Sequence, residues 1–77
     1  MKELVEMIVK KLVDNPDEVS VTEVESERTT VIELRVAKTD LGKVIGKEGR
    51  IAKAMRDLIG AATSRDSKKC ILEIIED

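Results

Sequence analysis

Leu41-Gly42-Lys43-Val44-Ile45-Gly46-Lys47-Glu48-Gly49-Arg50-Ile51 sets two glycines around Lys47 and Glu48, with an apolar couplet before them and a basic residue after. Glycines three apart let a short loop bring its backbone N–H groups close to another molecule, because no Cβ stands in the way. A helix opening at Arg50 adds unpaired N–H groups and a partial positive charge at the same spot. That combination suits a phosphate.

The charge pattern agrees with this reading. Between Lys43 and Arg56 the chain carries Lys43, Lys47, Arg50, Lys53 and Arg56 against Glu48 alone, a local balance of +4 within a net charge of −2. The rest of the chain is therefore acidic, with Asp17, Glu18, Glu23, Glu25 and Glu27 close together. A basic segment on an acidic body is a localised electrostatic footprint rather than the surface of a general polyanion binder.

The flanking segments predict the frame. Residues 2–14 read as an amphipathic helix with Leu4, Ile8 and Leu12 four apart and Val5, Val9 and Val13 beside them. Asp14-Asn15-Pro16 ends it, since the residue before proline is pushed out of helical geometry. A strand follows from Glu18, where Val19 and Val21 share a face and Val24 falls out of step, which predicts a bulge or strand end near Glu23. Ser26-Glu27-Arg28 reads as a turn, and Thr29 to Ala37 as a second strand with Ile32, Leu34 and Val36 on one face. Thr39 or Asp40 is the expected cap of a very short helix that Gly46 ends. A further helix from Arg50 to about Thr63 is expected to bury Ile51, Met55, Leu58, Ile59 and Ala62; Gly60 is a cost inside it, for which a close contact is the one account the sequence offers. After the polar stretch from Thr63 to Lys68, Lys69–Ile75 is a last strand with Cys70, Leu72 and Ile74 on one face.

The order is α-β-β-α-α-β, an α+β fold. A helix pair between the second and third strands makes those strands parallel, so the sheet is mixed and three-stranded with helices on one face. Seventy-seven residues allow one domain, 1–77, and one core. No run is long and apolar enough to span a membrane, and Met-Lys-Glu is no secretory opening, so a cytoplasmic location is expected.

Several chemistries are disfavoured. The P-loop needs four residues between its glycines and a Ser or Thr after its Lys, whereas Gly42 and Gly46 enclose three and Glu48 follows Lys47. The glycine spacing also fails the dinucleotide fingerprint. There is no His, and Cys70 reads as a buried structural thiol. Neither a metal site, a cofactor, a small-molecule substrate nor an enzymatic activity is expected.

Val44-Ile45-Gly46-Lys47-Glu48-Gly49-Arg50, between two helices in this element order, resembles a KH domain of the prokaryotic (type II) topology. The resemblance covers essentially the whole chain and is closest to the small single-domain bacterial KH proteins of the KhpA type. It implies non-catalytic binding of single-stranded RNA, with the Gly-x-x-Gly loop clamping the backbone of about four nucleotides. On that analogy Gly46, Lys47, Glu48 and Gly49 pass the backbone, while Lys43, Arg50 and Lys53 supply charge. Val44, Ile45 and Ile51 are candidates for an aliphatic floor under the bases, with Ile51 reading equally well as core. In type II domains the loop before the last strand flanks the groove, which adds Arg65, Lys68 and Lys69. Glu48 inside the clamp, and Ala52 where KH motifs often carry a large aliphatic, imply weak and sequence-tolerant binding. The resemblance also implies an RNA chaperone or post-transcriptional regulator that acts as a homodimer or with a larger KH-containing partner. The rival reading is a KH-fold protein-interaction module that no longer binds RNA, favoured by the acidic net charge and Glu48.

Overall fold

The computed structural model describes residues 1–76. Six elements follow one another: α1 (Lys2–Leu12), β1 (Ser20–Glu25), β2 (Thr29–Arg35), α2 (Leu41–Ile45), α3 (Arg50–Ala62) and β3 (Lys69–Ile74). Single 3₁₀ turns, Pro16–Glu18, Lys38–Asp40 and Lys47–Gly49, precede β1, α2 and α3. The order is the expected α-β-β-α-α-β.

The sheet runs β1-β2-β3, with β1 antiparallel and β3 parallel to the central strand. Residues paired across strands share a face, so Val21, Leu34 and Ile74 lie together, as do Ile32 and Leu72. That face meets Val5 and Val9 of α1, Val44 of α2, and Met55 and Ile59 of α3 in one core of aliphatic side chains and Met55. Ile32 and Leu34 are fully buried. Burial of this kind supplies about 1.5–3 kcal/mol per large aliphatic side chain.

The bulge expected near Glu23 is absent, because pairing runs unbroken from Ser20–Arg35 to Glu25–Thr30. Val24 fell out of step for another reason: it pairs with Val31 on the sheet face away from the helices and is 49% exposed. The helix faces also differ from expectation. In α1 the buried stripe is Val5 and Val9, continued by Val13 beyond the helix, while Leu4 and Leu12 stay partly exposed. Six apolar residues cover a wider arc than one helix–sheet contact can bury. The helix stops at Leu12, two residues early, because the N–H groups of Asp14 and Asn15 turn to the Asp40 carboxylate.

In α3 the buried stripe is Ala52, Met55 and Ile59, and Leu58 is 54% exposed. Ala62 is exposed as well. Ala52, expected to weaken the site because it is small, is buried at 4% exposure. No close contact explains Gly60: a Cβ built there meets nothing within 4 Å. Glycine in a helix interior costs backbone entropy with no packing return. Gly60→Ala should therefore stabilise the fold by about 0.5–1 kcal/mol, read as a higher thermal midpoint by circular dichroism.

Candidate nucleic-acid interface

The loop between α2 and α3 has a strongly constrained backbone. Gly46 ends α2 at φ 78°, where its N–H still donates to the Gly42 carbonyl at 2.9 Å. A Cβ at Gly46 would stand 2.6 Å from Ile51 Cγ1 and 2.9 Å from the Ile51 nitrogen. Position 46 thus excludes a side chain on both conformation and space. Gly49 at φ 74° meets no neighbour, so conformation alone favours glycine there. Between them Glu48 is the one non-glycine residue with positive φ among the described residues, at 58°. A left-handed conformation costs an ordinary residue about 1–2 kcal/mol.

Gly49 leads straight into α3 and, lacking a side chain, offers no cap to its first N–H groups. Those amides and the positive end of the helix dipole sit beside exposed Lys47, Arg50 and Lys53. Arg50 lies 3.4 Å from the Glu48 carboxylate in a strongly exposed pair. Such a pair contributes little in water and opens readily to a competing anion.

Lys43 is placed differently. Its Nζ is bound to the Asp14 carboxylate and stands 3.8 Å from Asp40. The hydrogen bond to Asp14 raises the Lys43 pKa against the opposing effect of burial, and the charges of Asp14 and Asp40 raise it further. Asp40, expected to cap α2, makes no capping bond. It is 1% exposed, and its carboxylate accepts hydrogen bonds from Asp14 N (3.2 Å), Asn15 N (3.0 Å) and Asn15 Nδ2 (3.0 Å). Burial alone would raise the Asp40 carboxyl, but these bonds and the Lys43 charge hold it below the ordinary aspartate value. The sequence pattern does not show this cluster, because its halves lie 25 and 26 residues apart.

Of the aliphatic candidates, Val44 is fully buried and belongs to the core rather than to a floor. Ile45 and Ile51 are half-buried against that core. Arg65 and Lys68 follow the C-terminal end of α3, the opposite end of that helix from the glycine turn. They line a separate cleft of about 610 Å³ with Met1, Glu23 and Glu25, where Lys68 Nζ is 3.8 Å from Glu25.

A shallow groove of about 300 Å³ runs between α3 and β3, lined by Arg56, Ile59, Lys69, Cys70, Ile71 and Leu72. Strand β3 is an edge strand. Lys69 N donates to Arg28 O and Ile75 N to Leu34 O, so the odd-numbered residues point their backbone groups at β2. By alternation, the N–H and C=O groups of Cys70, Leu72 and Ile74 face outward along the free edge. The Leu72 carbonyl accepts from Arg56 Nε at 3.4 Å, consistent with that direction. Burial pushes the Cys70 thiol pKa up, with Glu23 and Asp66 adding to the shift. The motif does not single out Arg56 or the β3 edge. The edge position follows from strand order, which no local spacing reveals.

A helix–Gly-x-x-Gly–helix unit in the crossover between parallel strands of an α-β-β-α-α-β domain defines a type II KH fold. The family model described as KhpA/KhpB, KH domain, matches residues 2–74, and the chain belongs to that family. It is 56% identical over 75 residues to the RNA-binding protein KhpA of Clostridium acetobutylicum, covering 97% of this chain and 100% of the relative. The RNA-binding protein KhpA of Aquifex aeolicus is 54% identical over 76 residues, covering 99% of this chain and 96% of the relative. That of Chlamydia trachomatis is 53% identical over 77 residues, covering 100% and 99%.

The Asp40–Lys43 cluster carries a pH signature. A carboxyl whose folded pKa lies below its unfolded value stabilises the fold fully above about pH 4, and that contribution is lost as pH falls through the folded value. For Lys43, raised in the fold, the contribution is full below about pH 10.4 and is lost as pH rises through the folded value. The thermal midpoint should therefore drop on acidification below about pH 4, and the drop should be shallower in Asp40→Asn. Circular dichroism melts across that range measure both.

Proposed function

We propose that the chain is a non-catalytic, cytoplasmic single-stranded RNA-binding protein that holds the RNA backbone on the Gly46–Gly49 turn. The observation that carries this is the turn itself, opening without a side-chain cap into α3 beside exposed Lys47, Arg50 and Lys53. Relatives named RNA-binding protein KhpA support it. The clamped strand continues along the groove between α3 and β3, where Arg56 meets phosphate or base. The outward N–H and C=O groups of β3 are suited to base edges. This arrangement needs no aromatic stacking, in keeping with a chain that has no Phe, Tyr or Trp. Glu48 weakens the clamp and favours sequence-tolerant binding, as suits an RNA chaperone or post-transcriptional regulator.

One KH unit reads few bases, so a second module raises affinity through effective concentration. Leu58, 54% exposed on α3, leaves a large apolar side chain on the surface of the helical layer. In this reading a second copy covers it, and a larger KH-containing protein is the alternative partner. If so, Leu58→Asp should convert dimer to monomer in sedimentation velocity while leaving the circular dichroism spectrum unchanged.

The RNA reading is tested by fluorescence anisotropy with short unstructured RNAs over a series of salt concentrations. Three phosphate contacts, from Lys47, Arg50 and Lys53, predict a slope of log affinity against log salt of about −2. Lys47→Asp inverts a charge in the turn without touching either glycine, and it should weaken binding at least tenfold (roughly) and flatten the slope. Absence of RNA binding by the folded wild type would instead favour a KH-fold protein-interaction module, in line with the net charge of −2.

A further inference from the structure

We propose that Asp40 is the positioning residue of the Gly46–Gly49 clamp: its buried carboxylate pins the start of α2 to the connection after α1, and that pin sets where the clamp stands on the fold. The inference rests on the RNA-binding reading above and adds to it a residue that does not touch RNA.

Helix α2 has five residues, too few to be stable by itself. It buries one side chain, Val44, and has no side-chain cap at its start. Its far end is the clamp, joined through the Gly46 N–H to Gly42 carbonyl bond. Whatever fixes the first turn of α2 therefore fixes the approach to the clamp. That anchor is Asp40, both of whose carboxylate oxygens are occupied by donors from Asp14 and Asn15. The donor segment is itself held, by Val13 in the core and by the Pro16–Glu18 turn, where Glu18 N donates to Asn15 O at 3.0 Å. Lys43 closes the cluster from one turn further along α2.

Electrostatics and positioning predict opposite signs for one substitution. Asp40→Asn removes a negative charge near the clamp and loosens Lys43, which by charge alone strengthens RNA binding. It also puts an amide NH₂ where the pin needs an acceptor. On the positioning account, RNA binding weakens about tenfold at a temperature where circular dichroism shows the variant folded. The Gly46 and Gly49 amide signals also shift in a proton–nitrogen correlation spectrum. The double variant Asp40→Asn/Asn15→Asp restores the side-chain bond but leaves one backbone N–H facing the new amide, so it recovers affinity and signals only in part. Asp14→Asn, which frees Lys43 but leaves the donors to Asp40, binds RNA at least as well as wild type. Ile32→Val, a one-methylene core truncation that touches none of the bonds to Asp40, lowers the thermal midpoint and leaves the affinity of the folded protein unchanged.

A folded Asp40→Asn variant with wild-type or tighter binding and unmoved glycine signals overturns the proposal. Should that variant not fold, Asn15→Ala removes one of the three bonds and is read in the same way. If the wild type binds no RNA, the RNA reading fails, and the glycine signals still decide whether Asp40 positions the loop.

Discussion

The parallel pairing of β2 with β3 is the constraint from which the arrangement follows. Parallel neighbours cannot be joined by a tight turn, so the chain must leave one end of the sheet and return to the other. The return path carries α2, the glycine turn and α3, and it must lay α3 back over the sheet to bury Met55 and Ile59 against Ile32 and Leu72. The glycine turn is left where the path reverses into α3. Its exposure at an edge of the molecule is thus a product of how the strands pair, and the fully buried β2 residues Ile32 and Leu34 hold that pairing in place.

Within this frame the charges divide into structural and available ones. Lys43 lies in the same basic run as Lys47, Arg50 and Lys53, yet its amine is paired with exposed Asp14 and stands beside buried Asp40. The other three point into water, with Arg50 lightly engaged by Glu48 and Lys53 by Asp57. Partial neutralisation by exposed partners lowers the field at the clamp without blocking it, since exposed pairs exchange easily for another anion.

The groove between α3 and β3 takes its polar groups from backbone. An edge strand carries a row of unpaired N–H and C=O groups, which most proteins must blunt. Here Arg56 reaches over that edge to Leu72 O, and Lys69 stands on it. Positive side chains discourage strand-to-strand aggregation and attract a polyanion at the same time.

Local pattern in the chain was enough to determine the elements, their order, the mixed sheet and the glycine turn, because helix and strand periods and glycine spacing are properties of neighbouring residues. It also placed Lys47, Arg50 and Lys53 on an exposed surface. Which apolar stripe of each helix is buried was decided by tertiary packing: Ala52 rather than Leu58 in α3, and the valines rather than Leu4 and Leu12 in α1. The wide apolar arcs left both options open. The roles of Val44, Lys43 and Asp40 were likewise decided by groups distant in sequence, the core for Val44 and the segment around Asp14 and Asn15 for the other two. A charge reads the same in a sequence whether it faces water or a buried carboxylate, and only the contact that closes across 25 residues tells the two apart.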